Sequence, residues 1–474
     1  MELGKQERQE QQGRQELYGA ADFALDRLAA LGADGADVAL SRGRSDELNV
    51  DAGKFSLLRT TFDASLRIRA LVGGRKGIAA INSLEREDIG RAAAQAVGAA
   101  ESSEPDPAEA IAPGIGEHVF SLGEGKGKGE GKGEGEGKGE CKDAGECKDE
   151  GEGECDLDRL FGRVSEFMGA CARDYPKVDI LQLISSHSAS GALYANSNGT
   201  RAFTGSACYS HVVEASARDG AKVSSMNGYG FRSVGLGEPL LADRELSRML
   251  AELGPQLDPE PYEGKSVGAL LVSPSCFAEF IYYILHNCVH DSALIAGDSP
   301  WKGKLGEAVA DARVNVSLDP LDPRVVCGAR VTWDGHLVGR QDIIRGGELA
   351  GWALTQYGAN KTGLARGKNA SDNIVIGAGG QLFGELVEAV GDGLLLNRFS
   401  GGVPASNGDF AGVAKNSFLI RGGKVRGAVS ETMVSGNLFA MLKDVIGLGS
   451  ETASDGNGVA PWAAFGGVTI SGKS

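Results

Sequence analysis

Between Asn397 and Gly449 the spacing of apolar residues changes period, and that change fixes a local chain path. Ser417 to Ile420 reads as a short apolar strand. Arg421-Gly422-Gly423-Lys424 follows as a tight turn, its glycines supplying the positive φ that a hairpin asks for. Val425 to Val429 returns as the partner strand. From Val434 to Val445, the residues Leu438, Met441, Leu442 and Val445 recur at helical spacing, and Gly447 and Gly449 are placed to cap that helix. The stretch is predicted as hairpin, crossing loop, amphipathic helix. Ahead of the hairpin, 400–416 reads as a loop of Gly, Ser and Asn whose one large apolar side chain is Phe410. Side chains that small let another backbone approach closely.

The residues of this stretch also form a specific string. Ser400-Gly401-Gly402, Asn407-Gly408-Asp409-Phe410, a strand ending Ile420-Arg421-Gly422-Gly423-Lys424, Val429-Ser430-Glu431-Thr432, and Ser435 through Lys443 (SGNLFAMLK) follow in order. The string resembles the C-terminal half of the TldD/PmbA family, once called modulators of DNA gyrase.

Earlier segments alternate like strands: Asp37 to Leu40, Asp46 to Asp51, Leu57 to Thr61, Ser65 to Val72 and Ile78 to Ile81. Helices are predicted over Leu17 to Leu31 and Leu84 to Ala100. This meander is similar to the family's N-terminal domain. Further strands are expected at Ile180 to Ser185, Ala192 to Asn196 and Arg201 to Val213. Beyond a boundary near Gly235 to Pro239, strands are expected at Val267 to Val272, Val314 to Ser317 and Arg330 to Trp333, with a helix over Ser275 to Asp291. The fold class is therefore α+β with two domains. Residues 1–16 form a disordered or frayed N-terminus. Residues 17–235 form an α/β meander domain with a helix-covered sheet, and 236–474 a domain with a large, mostly antiparallel or mixed sheet.

Residues 123–155 stand apart, being nearly pure Gly, Glu and Lys. No large apolar side chain there can seed a core, so the segment is expected to be a solvated, disordered insertion. Its cysteines, Cys141, Cys147 and Cys155, are spaced too widely for the tight pairs of a structural zinc site. The remaining cysteines are scattered, as in a reducing cytoplasm. The net charge of −16 argues against nucleic acid as a partner. No apolar run reaches the ~18 residues of a membrane helix, and the charged, Gln-rich N-terminus does not read as a signal peptide.

Two glycine-rich strings invite a nucleotide reading. Gly467 to Ser474 fits GxxxxGK[ST], but a phosphate loop works only when a helix follows it. A terminal strand is the reading here. Gly377 to Leu382 is a glycine-rich turn without the rest of a nucleotide fingerprint. His187, His211 and His336 are isolated in sequence and read as structural histidines, and His118 borders the insertion.

The family resemblance implies a division of labour. TldD-type subunits carry HExxxH on the helix after the Pro-led strand, and a cysteine near the C-terminus. Counting without gaps from Pro274, the first histidine falls on Tyr282, the glutamate on Tyr283 and the second histidine on Asn287, and no cysteine follows Cys327. That departure matches the PmbA/TldE type. It implies a cytoplasmic, non-catalytic subunit with no cofactor of its own, its zinc carried by a TldD-type partner. The implied substrate is an unfolded peptide, such as the leader of a modified precursor. Such a peptide would add as a strand to an open sheet edge. Ser406, Asn407, Gly408, Asp409, Phe410, Lys415 and Asn416 are the candidates for lining its channel. Two alternatives stay open. His286 and His290, four apart on one helix with Glu279 on the same face, form a metal trio if this chain is a zinc peptidase in its own right. A homodimeric peptide-binding protein without peptidase activity is the other.

Overall fold

The computed structural model describes residues 3–120, 155–430 and 432–472, with backbone only up to residue 10. The insertion, apart from Cys155, and the end of the phosphate-loop look-alike at 473–474 lie outside the described residues.

The first sheet is built from long antiparallel strands. In chain order come α1 (Leu3–Ala30), β1 (Gly35–Asp51), β2 (Lys54–Val72), β3 (Arg75–Ile81), α2 (Arg86–Glu101), β4 (Glu117–Phe120), α3 (Leu157–Asp174), β5 (Val178–Asn196), β6 (Arg201–Asp219), β7 (Lys222–Val223) and β8 (Asn227–Ser233). The spatial order is β3-β2-β1-β5-β6-β4, with β7 and β8 also on β6. Strands expected as pairs of short pieces are continuous: 37–40 and 46–51 are one strand, as are 180–185 and 192–196. The polar residues between them carry on the ladder, because backbone pairing needs no apolar side chain. Ala52 and Gly53, both at positive φ, turn β1 into β2. Residues 3–16, in the stretch expected to be disordered or frayed, have helical backbone continuous with α1. Gln, Glu, Lys and Arg are good helix formers.

One face of this sheet carries two cores. Val38, Leu40, Ile68 and Leu193 pack under α1 and α2. Leu48, Val50, Leu183, Tyr209 and Val213 pack under α3 and α4 (Arg244–Leu253) at the other end. Leu236, Leu240 and Leu246 also belong to that second core, so the chain stays with the first sheet up to Leu257.

The second sheet is mixed. Its elements are β9 (Glu260–Pro261), β10 (Lys265–Val272), α5 (Pro274–Cys288), α6 (Asp291–Ala296), β11 (Val316–Leu318), β12 (Gln341–Arg345), β13 (Glu348–Leu349), α7 (Gln356–Thr362), β14 (Ile374–Ile376), α8 (Phe383–Val390), β15 (Gly393–Leu396), β16 (Arg398–Gly401), β17 (Asp409–Lys415), β18 (Phe418–Arg421), β19 (Lys424–Ser430), β20 (Met433–Asn437), α9 (Leu438–Lys443), β21 (Val445–Ser454) and β22 (Val459–Ser471). The main order is β13-β12-β11-β14-β22-β10-β15-β18-β19-β9. β10 runs parallel to β15 and antiparallel to β22. Leu270 and Val272 face the α5 side while Ala269 and Leu271 face α8, so β10 is buried on both faces from Ala269 onward.

The hairpin β18–β19 forms with Gly422 and Gly423 at positive φ, as the sequence predicts. Three expectations around it change. The helix predicted over 434–445 shrinks to α9: Val434 to Asn437 pairs with β17 and β22, and Val445 begins β21. Gly447 and Gly449 do not cap a helix. They lie in β21, where a Cβ on Gly447 would meet the Gln381 side chain at 1.9 Å and one on Gly449 would press on Trp462 at 3.3 Å. The loop expected over 400–416 is mostly the antiparallel pair β16–β17, so only 402–408 and Asn416 are irregular. The strand expected at Arg330 to Trp333 is a single bridge, Val331 to Leu337, around the Asp334-Gly335 turn. Gly467 to Ile470 lies within β22. No helix among the described residues is long and apolar enough to cross a membrane.

Candidate functional site

α5 leaves β10 through an N-cap at Ser273, whose hydroxyl accepts from the Cys276 amide (3.3 Å), with Pro274 in the first helical position. Phe277, Phe280, Ile281, Ile284, Leu285 and Cys288 are buried. The opposite side presents Glu279, Tyr282, Tyr283 and His286. Tyr283 donates to Glu279 Oε1 (3.3 Å). Burial pushes the Glu279 carboxyl upward, and burial together with the Glu279 charge pushes the Tyr283 phenol upward. A phenol binds zinc only as phenolate, so Tyr282, Tyr283 and Asn287 do not make a zinc donor set.

The helix predicted to run to Asp291 ends at Cys288, and His290 is instead the N-cap residue of α6. His286 and His290 still meet. Their rings stack at 4.3 Å, and Tyr282 packs on His286 at 4.2 Å. His286 Nε2 lies 3.1 Å from Asp372 Oδ1, in the segment just before β14. One ligand atom from each of His286, His290 and Asp372 lies within 4.8 Å of the others. Burial lowers His290 to about 4, so its imidazole is neutral at neutral pH. The hydrogen bond with His286 holds the Asp372 carboxyl below its ordinary value. Two imidazoles and a carboxylate suit a zinc-like ion. Glu279, the third member expected from sequence, is not in that cluster; Asp372 takes its place. Nothing in the sequence links Asp372 to His286, 86 residues earlier.

Glu279 instead lines a cleft of about 210 Å³ between the two sheets, with Arg248, Glu252, Asn397 and Arg398. Arg248 donates to Glu245 (2.5 Å), Glu252 (3.0 Å) and the Asn397 side-chain oxygen (3.0 Å). The Asn397 amide donates to Glu252 (2.7 Å) and to the Asn416 carbonyl (2.9 Å).

The seven channel candidates divide by exposure. Ser406, Asn407, Asp409 and Lys415 are exposed, whereas Gly408, Phe410 and Asn416 are buried. Asn437 ties the turn down, donating to the Asn407 carbonyl (2.8 Å) and to Asp409 Oδ1 (2.9 Å). Gly408, at φ +89, sits where a Cβ would strike the Phe439 ring at 2.6 Å. Phe410 packs against Phe280 and Phe399 in the core. Asn416, at φ +50, donates to the Met226 carbonyl (3.3 Å) and so joins the two sheets.

An open edge also emerges. β3 pairs only with Leu66 to Val72 of β2, so the outer half of β2 has no strand beyond it among the described residues. There Phe55, Leu57, Leu58 and Phe62 are 43%, 39%, 60% and 78% exposed, an unusual concentration for a solvent-facing strand.

Comparison with known proteins adds family context. A profile described as the PmbA/TldA metallopeptidase C-terminal domain matches residues 266–472, and one described as PmbA/TldA metallopeptidase domain 1 matches 36–100. A metalloprotease of Methanothermobacter thermautotrophicus is 28% identical over 196 residues, 38% of this chain and 42% of that protein. Metalloprotease PmbA of Escherichia coli O157:H7 is 32% identical over 127 residues, 26% of this chain and 28% of that protein. The matched stretch thus spans less than half the length of either relative. The fold matches that of crystalline TldE from Thermococcus kodakarensis with a TM-score of 0.80 at 19% identity, covering 96% of this chain and all of the other. With both family profiles matched in order over more than half its length, this chain belongs to the PmbA/TldD family of metallopeptidases.

Proposed function

We propose that this chain is the non-catalytic subunit of a cytoplasmic zinc-peptidase pair, joining a TldD-type subunit to trim extended, unfolded peptides. The observation that carries the reading is the donor set on α5. At the positions of the family motif stand Tyr282, Tyr283 and Asn287, and both the Tyr283 phenol and the Glu279 carboxyl beside it are held toward their neutral forms. A glutamate so placed, hydrogen-bonded to Tyr283 and outside the histidine cluster, does not serve as the base for a metal-bound water. The open edge of β2 supports a peptide-handling role, because an extended chain adds there through backbone hydrogen bonds that tolerate varied sequence. Exposed Ser406, Asn407, Asp409 and Lys415 are the part of the expected channel set free to meet such a peptide.

The test is a peptide-degradation assay with each subunit alone and with both together, with a chelator control. Cleavage is expected only from the mixture, and it should be chelator-sensitive. Chelator-sensitive cleavage by this chain alone overturns the reading, as does full activity of the zinc subunit without it.

A second reading has its own observation, the cluster of His286, His290 and Asp372. If this chain is a metallopeptidase in its own right, those three hold its zinc, which would supply Lewis-acid chemistry to a bound water. Zinc lost from purified protein on His290→Ala, together with activity of the chain alone, would favour it.

A further inference from the structure

We propose that the first domain holds a second, sulfur-containing metal site formed by Asp46, His187 and Cys155, which takes a zinc-class divalent ion. One ligand atom from each of the three lies within 4.8 Å of the others. All three belong to the first domain, on β1, β5 and the residue before the α3 N-cap, and the site needs neither the peptidase reading nor the histidine cluster on α5.

The sheet register brings the first two together. Asp46 on β1 stands directly opposite His187 on β5, so both side chains leave the same face. Thr60 on β2 opposes Asp46, and Tyr209 on β6 opposes His187. The result is a lateral row across four strands, Thr60–Asp46–His187–Tyr209, with Tyr209 packed on His187 at 4.7 Å. Cys155 comes from outside the sheet. It precedes Asp156, the N-cap residue of α3, and α3 packs on this same face. Its partly buried side chain lies against the core of Leu48, Leu160 and Val164.

Burial makes the arrangement expensive unless something compensates it. Asp46 is fully buried and His187 is 2% exposed, beside a core of Leu48, Leu183, Tyr209 and Val213. Arg44 answers part of the charge, with Nη2 at 3.0 Å from Asp46 Oδ1 and Nε at 2.9 Å from Oδ2. Thr60 donates to Oδ1 (2.5 Å). Oδ2 nevertheless has no aligned hydrogen-bond donor. Outer groups thus hold the carboxylate in place, and Oδ2, beside the Arg44 guanidinium but accepting no aligned hydrogen bond, keeps a lone pair for an ion. Carboxylate oxygen, imidazole nitrogen and thiolate sulfur together form a donor set that zinc accepts and that calcium and magnesium do not favour. Binding converts the Cys155 thiol to thiolate with release of one proton to solvent, so affinity should rise with pH. Three protein ligands leave the fourth tetrahedral position to water.

Cobalt(II) is the probe that isolates this site, because a thiolate ligand gives it a near-ultraviolet charge-transfer band that His286, His290 and Asp372 cannot produce. The full-length chain, kept reduced, is titrated with cobalt(II) alone and then with zinc. The band should appear, saturate at one equivalent and be displaced by zinc. It should be lost in Cys155→Ser and in His187→Asn, and kept in His290→Ala. Cys155→Ser is the milder change, since its side chain is only partly buried, and circular dichroism confirms that each variant is folded. No band in the parent protein, or a band that survives Cys155→Ser, overturns the proposal. Zinc bound without any sulfur signature, and lost in His290→Ala, places the metal at α5 and overturns this site while leaving the peptidase question separate.

Discussion

His211 shows how a single residue couples this fold to pH. It sits next to the Asp46–His187 row, on the same face, with Nδ1 at 2.7 Å from Ser185 Oγ and Nε2 without a partner. Burial lowers it from an ordinary 6.5 to about 4. Between those values the unfolded chain binds a proton that the folded chain refuses, so stability rises with pH across that window. The contribution is fully present above 6.5 and is lost as pH falls towards 4, on the order of 3 kcal/mol if nothing relaxes. Urea unfolding from pH 7 to pH 4 should show the loss, and His211→Asn should flatten the slope by about one proton. An unchanged slope would mean that water reaches the ring. His290, lowered likewise to about 4, adds a second such term. In the sequence, His187 and His211 read as isolated. Both sit in continuous strands whose polar middles hid their alternation, and only the cross-strand register shows that His187 meets Asp46.

At the scale of elements, the sequence carried types better than lengths. The β18–β19 hairpin was legible because two glycines mark the turn and apolar residues flank it. α9 is shorter than its pattern suggests because Val434 and Val445 fall on the helical period of Leu438, Met441 and Leu442, yet they are claimed by strands on either side. What starts α9 is Asn437, whose Oδ1 accepts from the amides of Phe439 and Ala440 (both 3.1 Å). Its amide group meanwhile holds the Asn407 carbonyl and Asp409. Asn437→Ala should therefore cost about 1–2 kcal/mol by cap loss and also free the 402–408 turn. Hydrogen exchange should quicken at the Gly408 and Phe439 amides together; exchange unchanged at Gly408 would show that the turn stands alone. Glycine is a second case. By its spacing Gly447 reads as a helix stop, whereas in the structure it gives room to Gln381 and to Leu386, whose Cδ2 a Cβ would approach to 2.7 Å. Gly447→Ala should destabilise by about 1–3 kcal/mol through overpacking, read as a lowered Tm. No change in Tm would mean that Gln381 swings aside freely.

At the scale of the whole molecule, the two sheets are joined by polar contacts that no local pattern announces. Tyr357 and Lys361 from the second domain reach Asp106 in the first (3.0 and 2.9 Å), and the Arg232 amide donates to the Asp455 carbonyl (2.8 Å). The densest junction is Arg248 with Glu245, Glu252 and Asn397. Arg248 lies on α4, which packs with the first sheet, while Asn397 stands between β15 and β16 of the second. The cation neutralises two acids in a cleft, and its guanidinium lies 4.9 Å from the Trp462 ring. Arg248→Met keeps much of the stem's packing but leaves Glu245 and Glu252 without the cation that bonds them both. Removing one partner of a fully buried pair costs about 3–5 kcal/mol; with Arg248 27% exposed at the side chain, the loss should fall below that range. It should also depend on pH in a definite direction. The stranded carboxylates penalise the fold while ionised, so the penalty should be largest near pH 7 and shrink as the pH falls and one of them takes up a proton. Adding Glu252→Gln to Arg248→Met should recover part of the stability at pH 7. Equal losses at pH 7 and pH 5, with no recovery in the double variant, would show that Arg248 holds the domains together by its packing on Trp462 and not by its charge.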